Sequence, residues 1–254
     1  MNINRRNFLR NAAATTLGLA AIPEILSAAM PVNQKKKKGL ISGLKSGDVV
    51  LFQGDSITDA GREKSKQLSN SQGSFGSGYA FLAGAHLLSE YASKGLLFYN
   101  RGISGNKVYQ LADRWQKDCF DLKPKVISIL IGVNDFWHSL DGKYDGTVER
   151  YEQDFRQLLI LTKKMLPEVQ LVIGEPFAVL GCSAVTEKWY PAFDGYRAAA
   201  LKLADEFNAV FIPYQSIFDE AQKYAPGKYW TGDGVHPTMA GSSLMANAWL
   251  KAVK

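Results

Sequence analysis

The chain has 254 residues, 46% of them hydrophobic and 21% charged, which suits one globular domain with an ample core. The formal net charge of +6 lies wholly in residues 1–38, where Arg5, Arg6, Arg10 and Lys35 to Lys38 face Glu24 alone. The neutral remainder excludes the clustered basic surface that nucleic-acid binding needs, and two cysteines, Cys119 and Cys182, exclude a disulfide framework.

In chain order, residues 1–29 read as an export signal. Asn4-Arg5-Arg6-Asn7-Phe8-Leu9-Arg10 resembles the bacterial twin-arginine motif, an apolar run spans Ala12 to Ile22, and Ser27-Ala28-Ala29 offers the small residues that a signal peptidase prefers. The expectation is export to the periplasm or beyond, with cleavage near Ala29. The apolar run is shorter than the about 20 residues of a membrane-spanning helix, so stable membrane insertion is not expected. Residues 30–46, with Lys35 to Lys38 and no apolar period, read as a solvated basic linker; residues 47–254 form the domain.

Within the domain, short apolar runs alternate with longer amphipathic ones. Val49–Phe52, Leu96–Tyr99, Val126–Ile131, Leu171–Ile173 and Val210–Ile212 have strand length and the near-continuous apolarity of strands covered on both faces. Helices are expected over Tyr79–Ser93, Val108–Phe120, Thr147–Leu166, Tyr190–Phe207 and Met239–Val253. Thr147–Leu166 is the clearest, with Tyr151, Phe155, Leu158, Leu159 and Thr162 on one stripe and Pro167 to end it. Such alternation predicts an α/β/α sandwich with a parallel sheet.

Sites in such sheets lie at the carboxyl ends of the strands. There the sequence places Gly54-Asp55-Ser56, Asn100-Arg101-Gly102, and Gly132-Val133-Asn134-Asp135; Asp233-Gly234-Val235-His236 precedes the last helix. Each block alone is usually a cap or a turn. Together they supply acyl transfer. Ser56 needs a base to become a nucleophile, His236 can be that base, and Asp233, three residues earlier, can hold the imidazole in one tautomer. An oxyanion needs preorganised donors, for which the Ser56 and Gly102 backbone N–H groups and the Asn134 amide are candidates. Glycine at 102 would let substrate approach the backbone.

These four blocks resemble, in order, the motifs of the SGNH (GDSL) hydrolases, whose name comes from Ser, Gly, Asn and His; the resemblance runs from about Val49 onward. It implies a flavodoxin-like fold with five parallel strands and Asp233 as the triad acid. Gly54 to Arg62, Asn100 to Asn106, Gly132 to Trp137, Gly76-Ser77-Gly78-Tyr79 and Arg114-Trp115 are similar to the bacterial acetylxylan esterase branch. That likeness implies removal of acetyl groups from plant polysaccharides or oligosaccharides, without a cofactor.

Asp55, Phe136, Trp137 and Phe177 are candidate substrate contacts, their rings following the third and fourth strands. Trp189 and Trp230 could stack on sugars and His138 could reach the rim; ordinary packing is the alternative for each. Gly73 to Gly78 follows no strand and carries no Lys, so it reads as a flexible loop rather than a phosphate cradle. With three histidines and no ligand spacing, no metal site is expected. A lipid-directed esterase of the same fold and a non-catalytic binding module remain as alternatives, and a homo-oligomer and a Cys119–Cys182 bridge stay open.

Overall fold

The five apolar runs form five parallel strands: β1 (Val49–Gly54), β2 (Leu97–Asn100), β3 (Val126–Leu130), β4 (Gln170–Gly174) and β5 (Val210–Ile212). Their order across the sheet is β2-β1-β3-β4-β5, the flavodoxin-like order. In register, Phe52 lies beside Asn100 on one side and Ser128 on the other, so the ends of β1, β2 and β3 meet at one edge. Every residue of the central β3 is buried, which is why its run lacks the alternation of a half-exposed strand. The computed structural model describes residues 21–30, 39–142 and 144–254.

The helices that frame the sheet and the strand ends are α1 (Ala21–Ala29), α2 (Ser56–Asp59), α3 (Tyr79–Glu90), α4 (Val108–Asp113), α5 (Val133–Leu140), α6 (Val148–Met165), α7 (Ala192–Glu206), α8 (Tyr214–Ala221) and α9 (Met239–Val253), with single turns over Gln72–Phe75, Trp115–Asp118 and Gly227–Trp230 between them. On one side of the sheet α3 packs on α9, with α1 against α8 and α9; on the other, α6 packs on α4 and α7. This is the three-layer α/β/α sandwich that the alternation of elements predicts. Phe52 meets Tyr79 and Trp249 from the first layer, with ring centroids 5.9 and 5.0 Å away. The Trp249 indole N–H reaches Ser128 Oγ at 2.9 Å, so the buried ring leaves no donor unsatisfied.

Three elements differ from the sequence reading. The helix expected over Val108–Phe120 breaks at Arg114, whose backbone leaves helical geometry, and resumes as a short turn over Trp115–Asp118. The break seats Arg114 against the strand ends while Trp115 Nε1 bonds Thr162 Oγ1 on α6 at 2.9 Å. Val133–Leu140 is a helix rather than a turn after β3. Helix α8 went unread, although Tyr214, Ile217, Phe218 and Ala221 repeat at helical spacing and are all buried.

The Arg5-Arg6 motif and the Lys35–Lys38 run lie outside the described residues. Ala21–Ala29, read as the end of the export signal, is a helix whose Ile25 and Leu26 are buried in the core. Lys251 Nζ bonds the Leu26 carbonyl at 2.8 Å. Residues 39–46, read as solvated linker, form turns that bury Leu40, Ile41 and Leu44, with Lys94 Nζ bonding the Ser42 and Leu44 carbonyls. Their apolar residues are spaced by one and three, too short a stretch to register as a period.

Candidate active site

At the end of β1 the chain turns through Gly54 into α2, and Asp55 caps that helix, its Oδ1 accepting from Ile57 N at 3.0 Å. Ser56 is therefore the first helical residue, and its N–H has no carbonyl one turn back to bond. The loop before α9 brings His236 over it: Ser56 Oγ and His236 Nε2 are 2.8 Å apart. His236 Nδ1 lies 2.7 Å from Asp233 Oδ2, while Asp233 Oδ1 accepts from the backbone N–H groups of Val235 and His236 at 2.9 and 2.8 Å. Partial burial raises the Asp233 pKa, but these hydrogen bonds outweigh it and hold the carboxyl below its ordinary value. An ionised Asp233 fixes Nδ1 as the protonated nitrogen, leaving Nε2 to accept a proton from the serine.

Asn134 sits in the first turn of α5, buried, with Nδ2 bonded to the Asn106 carbonyl at 3.2 Å. An amide carries two such hydrogens, so one remains for a ligand. Gly102 does not take the expected role. Its N–H is held by Asn100 Oδ1 at 2.8 Å. A Cβ at 102 would come within 2.4 Å of Asp59 N, so glycine is required for close packing on α2 rather than for substrate. The better donor is Gly105, three residues on. Its φ of +80° suits glycine, its missing Cβ faces open space, and its N–H meets no acceptor among the described residues. Sequence reasoning missed it because Gly102 and Gly105 stand in one short loop, and only the fold shows which faces outward.

Of the expected substrate contacts, Trp137 alone is placed to serve, half-buried with its ring centroid 6.4 Å from that of His236. Asp55 is buried as the helix cap. Phe136 is packed among Trp189, Phe193 and Tyr196, and Phe177 lies on Tyr214 and Phe218. Both rings are core, because the chain after β3 and β4 turns back over the sheet. Trp189 and Trp230 are likewise buried, each indole N–H bonded to backbone carbonyl. His138 lies half-buried on α5.

The cleft beside Ser56 and His236 has a volume of about 770 Å³ and apolar walls from Ile57, Phe81, Leu82 and the almost fully exposed Met239. Gly76, Ser77 and Gly78, read as a loop without function, line it too. Phe81, Leu82 and Met239 did not stand out in sequence, since α3 and α9 present them as ordinary residues at helix starts.

Two buried carboxyls flank the site. Burial pushes Asp55 and Asp135 up to about 7, and for Asp55 the neighbouring Asp135 adds to the shift. Each keeps one oxygen without a hydrogen-bond partner. Among the described residues, no group of three or more His, Cys, Asp or Glu could hold a metal ion, and no helix is long and apolar enough to cross a membrane. Cys119 and Cys182 are both free thiols; Cys119 is buried, which raises its pKa.

Comparison with known proteins accords with this geometry. The profile of the GDSL-like Lipase/Acylhydrolase family matches residues 52–244. An acetylxylan esterase of Geobacillus stearothermophilus is 34% identical over 214 residues, 82% of this chain and 94% of that protein. Its solved structure superposes with a TM-score of 0.72. A solved protein of Parabacteroides merdae, provisionally assigned as a GDSL-like lipase, is 53% identical with a TM-score of 0.81, covering 82% of this chain and 96% of that one. The fold, the site and these relatives define a carboxylic ester hydrolase. More particularly, the chain belongs to the GDSL-like lipase/acylhydrolase family and has its SGNH α/β/α fold.

Proposed function

We propose that the chain removes acetyl groups from carbohydrates through an acyl-enzyme, with Ser56 as nucleophile, His236 as base and Asp233 as its orienting acid. The observation that carries this reading is the continuous hydrogen-bonded path from Ser56 Oγ through the imidazole to Asp233, at the mouth of an open cleft. Ser56 Oγ attacks the ester carbonyl carbon and passes its proton to His236 Nε2. The oxyanion is met by the N–H groups of Ser56 and Gly105 and the free Asn134 amide hydrogen. Collapse breaks the C–O bond to the sugar, whose oxygen takes the proton from His236. Water then attacks the acetyl-serine by the same route, releasing acetate.

The carbohydrate rests on the relatives. One structure of the Geobacillus protein is described as an acetyl-xylooligosaccharide esterase. Its described catalytic mutants replace a serine, a histidine and an aspartate three residues before that histidine, the spacing of Asp233 and His236. Trp137, beside His236, offers a ring face to a pyranose. The export signal, as proposed, would bring the enzyme to polymeric substrate outside the cytoplasm.

A second reading has its own support. Of the three rings read as candidate substrate contacts, Phe136, Trp137 and Phe177, only Trp137 lies near the site, while Ile57, Phe81, Leu82 and Met239 give the cleft an apolar wall able to take a longer acyl chain. Rates on p-nitrophenyl esters from acetate to palmitate, beside acetate release from acetylated xylo-oligosaccharides, separate the two. The first reading expects kcat/KM highest for acetate and falling by butanoate, since each methylene that a pocket rejects costs about 1–3 kcal/mol. A maximum at octanoate or beyond would replace it with the lipid-directed reading.

A further inference from the structure

The loop of residues 101–106 carries Gly105 and, through the Asn106 carbonyl, orients the Asn134 amide, yet little within the loop holds it. Inside it, Asn106 N bonds the Ile103 carbonyl at 3.2 Å. Its backbone is tied to β1 by Arg101 N and Ile103 N, which donate to the Phe52 and Gly54 carbonyls at 2.8 and 3.1 Å, and Gly102 N donates to Asn100 Oδ1. Side chains add Arg62 Nε to the Gly102 carbonyl at 2.7 Å, Asp59 Oδ2 accepting from Ser104 N and Oγ at 2.9 and 3.0 Å, and Arg114. Its guanidinium spans the loop. Nη1 donates to the Arg101 carbonyl at 2.8 Å, at the loop's entry, and Nε donates to Asn106 Oδ1 at 2.9 Å, at its exit. Nη1 also reaches Asp118 Oδ2 at 2.7 Å and Gln53 Oε1 at 3.2 Å, which anchor the group from below.

We propose that Arg114 is a positioning residue for the oxyanion donors: one planar guanidinium fixes both ends of the 101–106 loop, and so the aim of the Gly105 N–H and of the Asn134 amide. Three features support this. The fork binds two acceptors at a fixed separation, which a lysine ammonium cannot do with the same rigidity. Asn106 is gripped twice, its side chain by Arg114 and its carbonyl by Asn134, so displacement of one moves the other. The cluster behind the loop is also electropositive: Arg62, Arg101 and Arg114 are buried or nearly so, and Asp59 and Asp118 are the carboxylates that face them. A cation behind the donors favours a negative charge in front of them. The break in the helix at Arg114 is the local distortion that delivers the side chain to this position.

The proposal rests on the serine-esterase reading, and the test separates the two. In Arg114→Ala, kcat on p-nitrophenyl acetate should fall by on the order of 10–10²-fold, somewhat less than for loss of a donor itself, with KM nearly unchanged, because an oxyanion donor acts in the transition state. Guanidinium chloride at sub-denaturing concentration should restore part of that kcat, and methylammonium should not. Arg114→Lys keeps a cation beside Asp118 and guards against a variant that fails to fold; it should also lose kcat at constant KM while retaining the wild-type Tm. Arg156→Ala, on the exposed face of α6, serves as control and should match wild type. If either Arg114 variant folds and keeps kcat within twofold, or loses rate only through KM, Arg114 does not position the donors. Wild-type turnover in Ser56→Ala would instead remove the serine-esterase reading itself.

Discussion

The loop carrying His236 and the loop carrying Gly105 converge on Ser56, but they are held in place by different means. In the Asp233–His236 loop the catalytic side chains are oriented locally: one carboxylate makes three hydrogen bonds to groups within three residues of it, while the Asp233 and Gly234 carbonyls tie the backbone to Ala184 N and Val179 N at 2.9 and 2.8 Å. The 101–106 loop is held largely by side chains outside it: Asp59, Arg62 and Asn134, distant in the chain, and Arg114, eight residues beyond Asn106. Local bonds of the first kind fix the acid and the histidine relative to each other. A loop held from outside is only as accurate as the packing around it, so its failures should be graded and should arise at a distance.

The strongest way to break this contrast is at the proton path. Ser56→Ala or His236→Ala should lower kcat by on the order of 10⁴–10⁶ with the fold intact. Circular dichroism and turnover on p-nitrophenyl acetate check both parts; more than a few per cent of activity in Ser56→Ala would show that the nucleophile lies elsewhere, and in His236→Ala that another group serves as base. Next comes the externally held side. Asn134→Ala should cost roughly 10²–10³ in kcat with little change in KM. A raised KM at constant kcat would make Asn134 a ground-state contact instead.

A smaller effect tests the packing of the loop itself. A methyl at 102 meets Asp59 N, so Gly102→Ala should lose about 1–3 kcal/mol of stability in urea titrations. Gly105→Ala faces open space and should lose less, about 1 kcal/mol, from its positive φ alone. Equal losses would mean that the two glycines do not differ as described.

The mildest effect concerns the buried carboxyls. Asp135 stays protonated in the fold up to about pH 7, while the unfolded chain ionises near its ordinary 3.8. Its contribution is therefore fully present below about pH 4 and is lost as pH rises through about 7. Asp135→Asn should show a smaller fall in Tm between pH 5 and pH 8 than wild type. An unchanged pH profile would place the titration on another group.

The same contrast explains what could be read from the sequence. The sheet, the long helix α6 and the Ser56, Asp233 and His236 blocks carry local signals: continuous apolar runs, a stripe with a three-four spacing, and a DxxH step short enough to close on itself. Gly105 and Arg114 stand in blocks that resemble the family, but nothing local assigns their roles, and the apolar wall of Phe81 and Leu82 carries no signal at all. Their roles depend on which face of a loop or helix start meets the cleft, and contacts across tens of residues decide that. Phe136 and Phe177 mark the converse error. Their positions after strands suggested the pocket, but the turn of the chain beyond each strand buries them.

One feature on the opposite face from this network bears on how the protein is made. Helix α1 lies across α8 and α9 with Ile25 and Leu26 buried, each worth roughly 1.5–3 kcal/mol of apolar burial. While it is covalently attached, it behaves as a tethered ligand at high effective concentration, stabilising the body it covers. A cut near Ala29, the processing point proposed for export, would turn that ligand into a peptide free to diffuse away. The newly exposed patch would be ready to accept a membrane, a partner or a second copy of the chain. Precursor and product would then differ in what their surfaces can adhere to as well as in mass.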